Sequence, residues 1–545
     1  MAYPWLRALL QDASLRMPSK LTNILLNFLF ASTVTVDVQS IAISLPLSPS
    51  SDTVLLDPSL ISFSIEQDRW TDWAGISSPN VFLVNALDNL AQRTGQPPYI
   101  RIGADSEDHT DFSPQVEFSE AIFPAPSESV PYPEASNVTV GSRYYELASH
   151  LPRDTHVIWG VNFGTNNLTA AFLEAQAIKN AFASPTVRSA GIILEQIEIG
   201  NEADLYGGNG HRNSATWTIE EYVKEWVNFA ENVTAAAGIS SSGPKYMGLS
   251  FSGSSHSTSS FSPQGAFANG IIDSVPGKLI SSISQHKYSG SGVANIANLP
   301  SLMSKATIRS NLSTFIPDIA VVHDQGLDYV FGETNSYFSH GAPGVSNAAG
   351  SAIWALDYTL FGATIGIKRF HFHEGVGYRY NMIQPVTLTR SIIDGTTLSE
   401  PLPPHIQPAY YGALVAAEAI GKTGASSIVE LQINDTTLAG FAIFEEKALK
   451  RAVLIDSTAF LSTSSGERTS RNVTIAFNGS NPPPTFVDIK RLAINFADDT
   501  AGLKWGGQTF ETSDSRPQGS LQVVTAGVNL DISIRATEAI LLTFH

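Results

Sequence analysis

Three observations predict the fold class. Eight short apolar runs alternate with helix-like stretches from about residue 60 to 373. A cluster of prolines (Pro401, Pro403, Pro404, Pro408) breaks that alternation. Short alternating segments separated by turn residues follow it. Together they predict an α/β chain: a (β/α)8 TIM barrel with a C-terminal antiparallel β-sandwich.

The elements read in order as follows. Residues 1–35 resemble a signal peptide with its tail: Lys20 flanks an apolar stretch at 21–31, and small residues Ser32, Thr33 and Val34 end it. Met17 offers a second start. The stretch is short for a membrane span, and Asn23 and Asn27 weaken it further. An ordinary amphipathic N-terminal helix is the plainer alternative. Residues 36–52 read as a strand that joins the later β-sandwich, ending in the Pro/Ser-rich run 48–51. The barrel is assigned to 53–404, with strands at 60–65, 99–102, 156–162, 196–200, 246–251, 283–287, 329–332 and 369–373. Helices are expected at 81–92, 168–183, 219–236 and 347–361. From 405 to 545, after a short helix at 410–420, strands at 427–433, 438–444, 450–455, 472–477, 485–492 and 539–544 make the sandwich.

Bulk properties narrow the function. The chain has 545 residues, enough for a large barrel plus a second module, and its 43% hydrophobic content is that of a folded protein. A formal net charge of −18 offers no attraction to nucleic acid or to an anionic membrane. With no cysteine there is no disulfide, thiolate metal site or cysteine nucleophile. Seven Asn-x-Ser/Thr sequons (Asn137, Asn167, Asn232, Asn311, Asn434, Asn472, Asn478) are compatible with a secreted, glycosylated monomer that has no membrane segment in its mature form.

Two glutamates carry the chemistry. Glu202 follows the fourth expected strand in Ile197-Glu-Ile-Gly-Asn-Glu202, and Glu333 follows the seventh in Tyr329-Val-Phe-Gly-Glu333. Strand carboxyl ends face the active-site side of such a barrel. Either glutamate alone reads equally as a capping or salt-bridged loop residue. As a pair they suit the acid/base and nucleophile of a retaining glycoside hydrolase, with carboxyl groups roughly 5–5.5 Å apart. Asn201 is placed to hydrogen-bond a sugar 2-hydroxyl.

A strand-four Asn-Glu with a strand-seven Glu resembles clan A of the glycoside hydrolases. Glu198-Ile-Gly-Asn-Glu202-Ala-Asp204 and Gly332-Glu333-Thr-Asn-Ser336 resemble family 79, the β-glucuronidase and heparanase family, nearest its fungal secreted β-glucuronidases. The likeness spans roughly 36–545. It implies Glu202 as acid/base, Glu333 as nucleophile, a glucuronic-acid-containing glycan as substrate and no cofactor. The family usually has Pro where this chain has Ala203, a change that removes rigidity but no chemistry.

The resemblance implies further roles. Tyr288 would hydrogen-bond the nucleophile and hold it ionised, or be a rim tyrosine packing on a loop. Glu66 and Asp105 would line the subsite for the cleaved sugar, with a turn or cap as the alternative for Asp105. The uronate carboxylate would meet Tyr337 and Tyr380. Arg379 is either its bidentate partner or a solvated rim charge. His371-x-His373 puts two imidazoles on one strand face, a metal pattern that lacks further ligands. The favoured reading is therefore no metal, with these histidines shaping the site. Three functions stay open: exo-β-glucuronidase, endo-acting relative, and non-catalytic carbohydrate-binding protein.

Overall fold

Eight parallel strands close into a barrel: Ile61–Glu66, Ile100–Gly103, His156–Val161, Ile193–Ile199, Lys245–Phe251, Ile280–Tyr288, Asp328–Asn335 and Phe370–Glu374. Phe370 pairs with Ile61 to shut the ring. These strands come from a computed structural model that describes residues 40–292, 297–528 and 531–545. The signal peptide expected at 1–35, and the first residues of the strand expected at 36–47, lie outside them.

The helices form where the sequence supplies caps and a single apolar face. In Ile219–Ala237 the buried residues Tyr222, Val223, Trp226, Phe229, Ala230 and Val233 recur at helical spacing. Thr218 caps its start by accepting from the Glu221 N–H, and Gly238 ends it at φ 73°. Leu168–Ala183 is capped in the same way by Asn167.

The C-terminal module is two antiparallel-based layers. The larger sheet runs, edge to edge, through Val54–Leu55, Ser427–Glu430, Leu438–Glu445, Ala448–Asp456, Glu538–Phe544, Phe486–Ala493 and Lys504–Trp505, with Val524–Gly527 also on Phe486–Ala493. The smaller holds Ile41–Pro46, Ser470–Asn478 and Asp531–Arg535. Strand alternation gives the larger sheet two apolar faces. Leu454 and Leu542 meet Ile43, Val473 and Ile532 of the smaller sheet, while Val453, Ile455 and Leu541 join the barrel's core. Each such side chain contributes about 1.5–3 kcal/mol by leaving water.

Helix Ala409–Ile420 lies between the two modules and is buried almost all round. It packs on Gly350–Thr364 and Val81–Thr94 of the barrel. Its Glu418 accepts from Lys490 Nζ (2.8 Å) and Trp505 Nε1 (2.7 Å) of the β module. The division drawn at residue 405 therefore falls in front of a helix that belongs to both. Val54–Leu55, drawn with the barrel, pairs with the β module instead.

Two barrel connections are long. The one after the second strand carries a small sheet of Thr110–Phe112, Asn137–Val140 and Ser119–Ile122. The one after the eighth carries two hairpin-like pairings between 383 and 406.

Candidate active site

The Glu202 turn is built by close approach. Gly200 sits at φ 79°, and a β-carbon there would meet Phe163 Cβ and the Tyr206 hydroxyl at 2.7 Å. Only glycine fits. Buried Asp108 fastens the turn: it accepts from Asn201 N (3.2 Å), Tyr206 Oη (2.6 Å), Phe163 N (3.1 Å) and Gly164 N (2.9 Å). Glu202 itself is left-handed, at φ 49° and ψ 44°. That conformation is uncommon for a non-glycine residue, and its N–H is tied to Ser250 O at 2.9 Å.

Glu333 lies within the seventh strand, held from two sides. Tyr288 Oη donates to its Oε1 at 2.7 Å. Arg101 Nη1 donates to its Oε2 at 3.0 Å. Arg101 is fully buried and also donates to Glu198 (2.5 and 3.0 Å), Ser64 Oγ (2.8 Å) and Asn201 Oδ1 (2.8 Å). Using up the Asn201 oxygen turns its NH2 group elsewhere, in position to act as a donor. His286 Nδ1 lies 3.0 Å from Glu202 Oε1 and 4.0 Å from Glu333 Oε2.

The two carboxyls are driven apart in acidity. Burial and the nearby Glu333 charge push Glu202 up to about 8. Burial pushes Glu333 up too. His373, His286, Arg101 and the Tyr288 hydrogen bond outweigh it and hold Glu333 at about 2. So near neutrality one is a carboxylic acid and the other a carboxylate, the split that a general acid and a nucleophile need. Donor atoms of Glu202, His286 and Glu333 lie within 4.8 Å of one another. That is close to the retaining separation and short of the roughly 6.5–9.5 Å of inverting sites. The same trio has the spacing of a cation site. Buried Arg101 and His373 already supply positive charge beside Glu333, which disfavours a divalent ion.

Glu66 joins this cluster. It accepts from Ser106 Oγ (2.6 Å) and N (3.3 Å), and its Oε1 lies 3.2 Å from His373 Nε2. Burial lowers the basicity of His373, but Glu333 and Glu66 more than reverse it, to about 9. Its neighbour on the same face, His371, is pushed down to about 3 by burial, with Arg369 and Arg101 adding to it. The Tyr380 ring lies 6.0 Å from that of Tyr288 and 5.9 Å from that of His373.

Two expected residues stand outside this hydrogen-bonded cluster. Asp105 is exposed on a short turn and pairs loosely with His109 at 3.7 Å. Tyr337 is buried against the Gly290 backbone. Arg379 is neither uronate partner nor rim charge. It is buried and donates to the carbonyls of Ile392 (2.5 Å), Ser129 (3.2 Å) and Gly341 (3.4 Å). Its guanidinium thus stitches together the connections that follow strands two, seven and eight. Sequence reasoning did not single out Arg101 or His286 as parts of the cluster. Their places at strand ends beside the two glutamates were the available signal.

Comparison with known proteins identifies the family. The profile of the glycosyl hydrolase family 79 C-terminal beta domain matches residues 440–541. A β-glucuronidase of Aspergillus niger is 30% identical over 518 residues, covering 90% of each chain. A β-glucuronidase of Neurospora crassa is 27% identical over 532 residues, again 90% of each. Among solved structures, a 4-O-α-L-rhamnosyl-β-D-glucuronidase of Fusarium oxysporum superposes with a TM-score of 0.75 at 23% identity, covering 92% of this chain and 100% of that one. A family 51 arabinofuranosidase of Xanthomonas axonopodis gives 0.59 at 13%, covering 93% of this chain and 100% of its own. The last two show the fold alone.

Proposed function

The chain belongs to glycosyl hydrolase family 79 and is a glycoside hydrolase; from that premise we propose that it is a secreted, retaining exo-β-glucuronidase. Its substrate is terminal glucuronic acid, or the 4-O-methyl form, on glycans such as arabinogalactan. The observation that carries the mechanism is the Glu202–Glu333 pair, adjacent in space and split in protonation. Glu202 gives its proton to the glycosidic oxygen while Glu333 attacks the anomeric carbon, breaking the C–O bond and forming a glycosyl ester. Glu202, now a carboxylate, then takes a proton from water. That water displaces Glu333 and restores both groups. Asn201 donates to the 2-hydroxyl, and Glu66 and Asp105 accept from other hydroxyls.

The names of the two curated relatives support glucuronide specificity. We assign the uronate carboxylate to Tyr380, beside cationic His373, with Tyr337 further out. The exo mode is supported by the long connections after strands two and eight, which Arg379 ties to each other and to the one after strand seven. Secretion is supported by the sequons, of which Asn137, Asn167, Asn434 and Asn478 are exposed. Among the described residues no helix is long and apolar enough to cross a membrane.

Hydrolysis of paired chromogenic glycosides tests the reading. A strong preference for β-glucuronide over β-glucoside and β-galactoside is expected. A preference for a neutral sugar would remove the uronate assignment while leaving the two glutamates in place. Turnover of a uronate polysaccharide without any release from small glycosides would make the enzyme endo-acting.

A further inference from the structure

Far from the two glutamates in sequence, the β module carries a second concentration of charge, of the sign this protein otherwise lacks. A groove of about 530 Å³ opens between strand Asp531–Arg535 of the smaller sheet and the Phe486–Ala493, Lys504–Trp505 and Val524–Gly527 edge of the larger one. Arg491, Lys504 and Arg535 line it, with a single carboxylate, Glu538. In a chain with 50 acidic and 32 basic residues, three cations against one acid is a local reversal.

The pairing inside the groove leaves that charge available. Glu538 is mostly buried and is satisfied by Arg491 Nη1 (3.1 Å) and the Arg535 N–H (2.8 Å). Arg491 is thereby neutralised. Lys504 and the Arg535 side chain are exposed and have no carboxylate partner among the described residues. Neutral hydrogen-bonding groups stand beside them. Gln522 is exposed against the Gly506-Gly507 turn, its N–H held by Gly506 O at 2.7 Å, and Ser533 shares a strand face with Arg535. Gly507, at φ 78°, lets the turn approach: a β-carbon there would meet Gln522 Cδ at 2.7 Å.

Two unpaired cations flanked by an amide and a hydroxyl suit a ligand bearing both carboxylates and sugar hydroxyls. We propose that this groove is a non-catalytic binding site for an acidic, uronate-bearing polysaccharide, holding the polymer while the barrel trims its ends. This rests on the uronate reading of the active site. The site has no exposed aromatic platform among its lining residues, so charge rather than stacking carries the affinity. Binding therefore weakens as salt screens it.

The test uses the full chain carrying Glu333→Gln, which binds without turnover, and polygalacturonate as probe with neutral dextran as control. Affinity electrophoresis or calorimetry at low ionic strength should show polygalacturonate binding, no dextran binding, and loss in about 1 M salt, where the Debye length falls to ~3 Å from ~30 Å at about 0.01 M. Adding Lys504→Glu and Arg535→Glu should weaken polygalacturonate binding at least tenfold, and Lys504→Gln with Arg535→Gln by less. Both pairs placed in the active enzyme should leave hydrolysis of a small glucuronide unchanged, which also reports that the fold is intact. Equal binding by the charge-reversed protein, or no binding by the parent, overturns the proposal. Failure to hydrolyse any glucuronide while binding is retained sinks the catalytic reading and spares the groove.

Discussion

Tyr288 donates its hydroxyl proton to Glu333 Oε1 at 2.7 Å, and the same carboxylate receives Arg101 on its other oxygen. The tyrosine thus stabilises the charged form of the proposed nucleophile and fixes its orientation. Tyr288→Phe removes one charged hydrogen bond, worth about 1.5–3 kcal/mol. The expected outcome is a fall in kcat of about ten- to a hundredfold, with the acid limb of the pH profile moved to higher pH. Steady-state kinetics across pH checks it. An unchanged acid limb would show that Tyr288 does not touch the nucleophile's ionisation.

The pH dependence follows from the two signs. The proposed double displacement needs Glu333 charged and Glu202 protonated. Glu333 is held at about 2 and Glu202 is raised to about 8, so kcat/KM should stay level between them. It falls as pH rises through about 8, because Glu202 loses the proton it must deliver. Glu202→Ala should abolish that alkaline limb and lower kcat by roughly a hundred- to ten-thousandfold on a poor leaving group. Azide should restore turnover of an activated substrate with a β-linked azide product. Formation of the α-azide instead would mean inversion.

His373 and Glu333 also shape stability. The folded pKa of His373 is raised to about 9, so its contribution is full below the unfolded value of about 6.5 and is lost as pH climbs through about 9. The folded pKa of Glu333 is lowered, so its contribution is full above about 4.3 and is lost as pH falls toward about 2. The pair therefore stabilises most between those unfolded values. His373→Asn should flatten the decline of Tm on the alkaline side and raise the acid limb of activity. A Tm profile parallel to the parent's would falsify this coupling.

The barrel was legible because its strands are buried on both faces. Runs such as Tyr329-Val-Phe-Gly and Ile197-Glu-Ile-Gly have β-branched and aromatic density that a helix-like stretch between them does not share. The strand Ile193–Ile199 begins three residues before its expected start because Ile193 is exposed and Leu194 and Glu195 only half-buried, so the run looked shorter than it is. The strand Asp531–Arg535 alternates buried Ile532 and Ile534 with exposed neighbours, too short a pattern to separate from loop. At the site, two glutamates at strand ends announced themselves. Arg379 did not: its partners are main-chain carbonyls up to some 250 residues away, and a sequence carries no record of which arginine finds carbonyls and which finds water.

Gly160 tests how tightly the floor beneath the site is packed. A β-carbon there would meet Glu107 Oε2 at 2.0 Å and Cδ at 2.5 Å. Glu107 is fully buried, lies 3.7 Å from Arg101, and has no hydrogen-bond partner on either oxygen among the described residues. Burial, with the charge of Glu198 adding to it, raises its pKa well above the ordinary carboxylate range against the pull of Arg101, and so favours the neutral acid. Gly160→Ala should cost about 1–3 kcal/mol by overpacking, read as a lower denaturant midpoint with an unchanged slope. Because burial disfavours the Glu107 charge and Arg101 is only 3.7 Å away without a hydrogen bond, the isosteric Glu107→Gln should shift the midpoint less than Gly160→Ala.

Arg379 makes the last prediction. Its guanidinium holds Ile392, Ser129 and Gly341 carbonyls at 2.5, 3.2 and 3.4 Å, so it joins three connections at the barrel's rim without touching either proposed catalytic glutamate. Arg379→Ala should leave the far-UV signature and the pH limbs in place, because neither Glu202 nor Glu333 changes its surroundings. Releasing the rim loosens substrate positioning, and a misplacement of about 1 Å costs up to about a hundredfold in rate. The loss should appear in kcat/KM and be larger for a small glucuronide, which depends on the pocket wall, than for a polymer held elsewhere. Arg379→Lys should rescue little, since one ammonium cannot span three carbonyls in the plane a guanidinium reaches. A full rescue by lysine would reduce the residue's part to its charge, and a shifted pH limb in the alanine variant would place it in contact with the titrating groups.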